Sequence, residues 1–185
     1  MTCFKTNVKT PTGVVKEGKS ADYSFIPAER YWRSEEQGTR LWPTCVIESG
    51  VAASLPRLRE DVKWWFQRSK REVRMVLVVT VYPLDNITRV EKWQLRHPSC
   101  VNMGSVLPSE SKAHPPVCHI PPDIQRPYIA QSATITSDGI DGSFPMVLPY
   151  QAMFDEPLKK DIVLTKKDFK GFVFDAPPGW PLRGF

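Results

Sequence analysis

The chain has 185 residues, 41% of them hydrophobic and 24% charged, with a net charge of +5, so neither a peptide hormone, a multidomain machine nor a disordered tail fits it. Its 18 prolines are the departure from average composition. Seven of them lie between Pro98 and Pro127 and three more between Pro177 and Pro181, which removes helix and central strand from both stretches.

In chain order, Val14 to Pro27 reads as extended, with Tyr23 and Phe25 on one side of the pleat. Arg30 to Trp42 is polar and mixed, and reads as a loop. Thr44 to Ser49, after Pro43, is a short β-branched run that predicts a buried strand ended by Gly50. Ser54 is then an N-cap candidate, Pro56 suits a first turn, and Leu55, Leu58, Val62, Trp65 and Phe66 recur at helical spacing. Val73 to Val81 predicts a strand covered on both faces, and Ile87 to Leu95 alternates as its neighbour across a turn at Pro83 to Asn86. Past the prolines, Ser143 to Tyr150 reads as a strand leading into a short helix, Asp161 to Thr165 as a strand and Lys166 to Phe172 as a short helix. The order is that of a mixed α/β (α+β) domain. It predicts one domain over 1–185, with a core at 14–95 and 143–172, an insertion at 98–127 and a loose tail at 176–185.

The amino terminus lacks the apolar region of a secretory signal, and the longest apolar run, Met75 to Tyr82, is too short to span a bilayer. An intracellular protein, cytoplasmic or nuclear, is expected, with Cys3, Cys45, Cys100 and Cys118 as free thiols.

Charge is concentrated. Between Arg57 and Arg74 seven basic residues face three acids, which carries +4 of the total; such a stretch suits a polyanionic partner, although from charge alone a solvated helix face is the commoner explanation. Strand alternation sets Val46, Glu48 and Gly50 on one face, leaving Glu48 as an acid in a strand built for burial, where a carboxylate needs a cation or a partner. Asp22 is the analogous acid of the preceding strand. Two carboxylates at adjacent strand ends beside a basic helix suit a hard divalent cation and a phosphodiester. The bland alternative pairs Glu48 with an arginine of the helix and lets Asp22 cap a turn.

The segments Lys19-Ser20-Ala21-Asp22, Pro43-Thr44-Cys45-Val46-Ile47-Glu48-Ser49-Gly50 and Ser54 to Trp65, then the apolar strand and Ile87 to Trp93, resemble a group of uncharacterised, mostly fungal proteins. Those are similar to the PD-(D/E)XK, restriction-endonuclease-like superfamily. Gly142 to Tyr150 and Asp161 to Phe169 resemble the group's closing segments. The resemblance implies a mixed β-sheet core flanked by helices, and a nuclease in which Asp22 and Glu48 hold Mg2+ (or Mn2+) while a lysine helps activate water. The position two after the acid is Gly50, so the catalytic lysine passes by implication to Lys63 on the following helix, with Arg59 a poorer substitute because it does not deprotonate. Arg57, Arg59, Lys63, Lys70 and Arg71 are the expected nucleic-acid contacts, to DNA or RNA. The superfamily's upstream helix has no counterpart in the first 21 residues, which suggests a homodimer or a protein partner covering that side. Gly50 and the shortened start also suit an alternative: a degenerate nucleic-acid-binding or protein-interaction module.

A third reading is zinc. His97, Cys100, His114, Cys118 and His119 echo zinc-site spacing, but the prolines around them supply little scaffold, so an insertion without metal is the expectation and zinc is not. Of the adjacent Trp64 and Trp65, the core should take Trp65 and leave Trp64 on the flank.

Overall fold

The computed structural model describes residues 19–37, 41–96, 126–156 and 160–172. Within them the chain is mixed α+β. The strands are β1 (Tyr23–Phe25), β2 (Cys45–Val51), β3 (Met75–Tyr82), β4 (Ile87–Arg96), β5 (Arg126–Ile135), β6 (Ile140–Gly142), β7 (Met146–Leu148) and β8 (Ile162–Leu164). The helices are α1 (Ala28–Gln37), α2 (Leu55–Arg68) and α3 (Tyr150–Phe154), with 3-10 turns at Ala52–Ser54 and Lys166–Phe172.

Six strands form one sheet in the order β1-β2-β3-β4-β5-β6, while β7 and β8 make a separate antiparallel pair. All neighbours in the large sheet are antiparallel except β2 and β3, which run parallel with Cys45 opposite Met75 and Val51 opposite Val81. That parallel pair needs a crossover, and α2 supplies it.

The stripe Leu58, Val62, Trp65 and Phe66 on α2 packs on Val46, Val76 and Val78, giving a core of fully buried side chains on one face of the sheet. Trp65 is buried and Trp64 half-buried, as their adjacency requires. The other face is covered by β7, β8, α3 and the 166–172 turn, through Val90, Ala133, Ile135, Met146 and Phe169 and through Cys45, Met75, Leu148 and Met153. Lys92 of β4 pins the small sheet to the large one by donating to the Val147 carbonyl at 2.7 Å and to Gln131. Burial lowers the pKa of this lysine.

Three expectations fail here. Residues 28–37 form a helix instead of a loop, because Ala, Glu, Arg and Gln favour helix and the Pro27 carbonyl accepts from the Arg30 and Tyr31 amides to start it. Gly50 does not end β2, which continues to Val51. Finally β5 and β6 build a third of the large sheet from residues to which the periodicity assigned no element. Pro127 argues against a strand there, yet it lies opposite Leu95 of β4 while β6 pairs only Ala133 to Ile135, so the proline sits where β5 is an edge, the position in a sheet that tolerates one. Residues 14–18 of the expected first strand, the 98–125 stretch and the 176–185 tail lie outside the described residues.

Candidate functional site

The β1–β2 ladder pairs Tyr23 with Ile47, which brings Asp22, just before β1, alongside Glu48 of β2. Glu48 is 4% exposed. Its Oε1 accepts the indole N–H of Trp65 at 2.5 Å and lies 3.7 Å from the Lys19 ammonium, which also pairs with Asp61 on α2. Asp22 is exposed and its Oδ2 accepts from the Ser49 amide at 2.7 Å and the Ser49 hydroxyl at 2.8 Å.

Burial drives the Glu48 pKa up, the Trp65 and Lys19 contacts oppose that, and the like charges of Asp22 and Asp61 add to it. The carboxyl therefore stays protonated to a higher pH than a surface glutamate.

The ladder sets Asp22 next to Glu48, with the Asp22 carboxylate engaged by Ser49, and the expected lysine does not join them. Lys63 is exposed on α2 and bonds Glu60 at 2.6 Å, an i,i+3 pair. The ammonium beside Glu48 belongs to Lys19. Its signal was present in Lys19-Ser20-Ala21-Asp22, but strand alternation puts residues three apart on opposite faces, so period-2 logic hides it. The segment before β1 is not pleated, and the rule does not reach it. Position 50 itself has no room for a side chain: a Cβ there would lie 2.3 Å from Ser54 Oγ and 3.3 Å from Leu58 Cδ1. The start of α2 sits directly on this glycine.

The basic residues separate into two kinds. Arg57, Lys63 and Lys70 are exposed, while Arg59 reaches inward and places NH2 2.7 Å from Glu91 Oε1. Lys70 and Arg71 form the turn after α2, with φ of 50° and 75°. Glu91 is buried and also accepts from the Trp93 indole at 3.0 Å. It is an acid that sequence reasoning missed, because Arg89, Glu91 and Trp93 alternate like a solvent face. Register puts Glu48, Val78 and Glu91 in one row across β2, β3 and β4 beneath α2. The helix arginine thus pairs with Glu91, and Glu48 is held by a lysine and an indole.

Among the described residues, no three His, Cys, Asp or Glu side chains group closely enough to hold a metal by themselves. His97, Cys100, His114, Cys118 and His119 lie outside those residues. No helix among the described residues is long and apolar enough to cross a membrane. No protein-family model, no curated protein and no solved structure matches this chain.

Proposed function

We propose that the chain is a nuclease-like protein that binds nucleic acid and hydrolyses a phosphodiester bond at Asp22 and Glu48 with the help of a divalent cation. One observation carries this reading: a buried glutamate, raised in pKa, lies under a lysine ammonium with Asp22 next to it in the ladder, on the sheet face covered by α2, which exposes Arg57 and Lys63 and is followed by exposed Lys70. Core carboxylates are expensive and are kept where they do something.

The donor set fits a hard cation. Asp22 and Glu48 offer carboxylate oxygens only, and Mg2+ typically takes one or two carboxylates and completes its shell with water and substrate phosphate. When bound, such an ion activates water and offsets phosphate charge. The chain's own residues would do the rest: Trp65 fixes the Glu48 carboxylate, the Ser49 amide and hydroxyl fix Asp22, and the Lys19 ammonium beside Glu48 would offset negative charge on the phosphate. Arg57, Lys63 and Lys70 would meet the backbone on either side of the scissile bond, with Arg71 beside them. Arg59 would contribute less, since Glu91 offsets its charge.

Cleavage of single- and double-stranded DNA and RNA with Mg2+ or Mn2+ tests the reading. Activity should fall at least about a hundredfold in Glu48→Gln and Lys19→Ala, the scale of losing a charge-stabilising group, and remain in Lys63→Ala. Equal cleavage by wild type and Glu48→Gln would sink it.

Gly50 favours a second reading, a binding module without catalysis, because the usual place for the lysine is closed by Ser54. It predicts salt-sensitive binding unaffected by Glu48→Gln and lost on charge reversal at Arg57 and Lys63, with no cleavage under any cation.

A further inference from the structure

The face of the sheet opposite Glu48 carries a cavity of about 400 Å³ between β1–β4 and the covering layer of β7, β8 and the 166–172 turn. Packed cores leave few voids larger than a water, whereas ligand pockets run from roughly 300 to 1,000 Å³. Ile47, Leu77, Val79 and Val90 of the sheet form one wall, and Leu164 and Phe169 of the cover form the other. A space of this kind leaves those side chains without contacts on one side, and whatever fills it restores them.

The polar side chains on the lining are Tyr23, Ser49 and Asp168, and all three are exposed, so they stand at the mouth and not inside. Two of them are already engaged. Ser49 gives its hydroxyl to Asp22, as part of the site described above, and the exposed Asp168 carboxylate accepts the Thr165 amide and hydroxyl at 2.7 and 2.8 Å. The interior therefore offers an occupant hydrocarbon contact alone, and that decides the class. A charged or strongly hydrogen-bonding molecule would give up its water there and gain no partner. Water itself needs roughly two to four polar partners to be held in a cavity. An uncharged apolar body has no hydrogen bonds to lose.

We propose that this cavity is a binding site for an uncharged, apolar small molecule, a compact hydrocarbon body of about two rings. The size follows from scale, since an apolar cavity of roughly 150 Å³ holds one benzene ring. The site lies on the other side of the sheet from Glu48, and its occupancy does not depend on cleavage.

Titration of the full chain, methyl-labelled at Ile, Leu and Val, with toluene and with phenol at pH 7 tests this by NMR. Toluene should shift the Leu77, Val79, Val90 and Leu164 methyls saturably and bind at least about fivefold more tightly than phenol, whose hydroxyl would lie among apolar walls without a partner. Val79→Phe and Val79→Trp add side-chain volume at the sheet wall, so toluene affinity should fall from wild type to Val79→Phe and further to Val79→Trp. If Val79→Trp does not fold, Val79→Phe alone decides. Absence of saturable shifts in wild type would mean that the chain itself fills the space in solution, and overturns the proposal. Equal or tighter binding of phenol, or unchanged toluene affinity in folded Val79→Phe, would overturn it as well.

Discussion

At the scale of the residue, Glu48 sets stability against use. Its pKa is raised in the folded protein, so between the ordinary carboxylate value and that raised value the folded state binds more protons than the unfolded one. Stability supplied by the protonated form is present at low pH and lost as pH climbs through that window; above it, the buried charge costs. Glu48→Gln keeps an acceptor for Trp65 and removes the charge. We expect it to be more stable than wild type at pH 8 by on the order of 1 kcal/mol, or 2–4 °C in Tm, with the difference gone below about pH 4. Thermal melts across pH check this, and a less stable variant at pH 8 would mean that Lys19 outweighs burial. The cleavage proposed above would need the ionised form, and should therefore fall off on acidification while still above the ordinary carboxylate range. Cys45 gives a second residue-scale prediction. Burial pushes its thiol up to about 12, so in a variant with serine at the other three cysteines it should resist a thiol reagent at pH 8 until denaturant unfolds the protein. Rapid labelling of native protein would contradict its place in the core.

At the scale of the element, the junction of β2 and α2 is the tightest point of the site. The Ser54 hydroxyl donates to the Val51 carbonyl at 2.7 Å and thereby fills the space over Gly50. Gly50→Ala should destabilise by about 1–3 kcal/mol, an overpacking cost. Because Ser54 Cβ lies at an ordinary 3.5 Å from the added carbon, Ser54→Ala should recover much of that loss in the double variant. Denaturant titration of the two single variants and the double one measures the coupling; additive losses would refute the contact. The same crowding leaves no room for a lysine side chain at position 50; the ammonium near Glu48 comes from Lys19, ahead of β1 in the chain.

At the scale of the molecule, one ion network ties separate parts of the chain together. Asp155, at the end of α3, pairs with both Arg30 of α1 and Arg74 before β3, while Arg30 also meets Glu72 at 2.8 Å. Asp155 adopts φ of 61°, which asparagine tolerates as well. Asp155→Asn therefore isolates the charge effect and leaves two guanidinium groups facing one neutral amide. A loss of about 2–3 kcal/mol is expected by urea denaturation, less than for a fully buried pair because the network is partly solvated. An unchanged midpoint would reduce the network to surface decoration.

The parts of the fold legible from residues alone were those with strong local periodicity. Leu58, Val62, Trp65 and Phe66 announce α2, and the runs 73–81 and 87–95 announce β3 and β4, because a buried stripe imposes 3.6 or 2 on the sequence. Where an element's stability comes from elsewhere, the pattern is silent. Helix α1 is held by Arg30 on Asp155, 125 positions away, and β5 by pairing along β4; neither contact leaves a local trace. Of the candidate site, Glu48 could be picked out because a carboxylate in an apolar strand is costly, and Asp22 by analogy.

Chemistry and order along the chain thus followed from the sequence by itself: a mixed α+β domain with a basic helix, and an acid set into a buried strand two positions before a glycine. Only the tertiary structure decided which charges meet. It turned Lys63 to Glu60 and Arg59 to Glu91, brought Lys19 to Glu48, and opened an apolar cavity on the opposite face. The physical reason is one of range. Backbone preference and amphipathic period act over a few residues, whereas ion pairing and packing depend on where segments tens of residues apart come to rest.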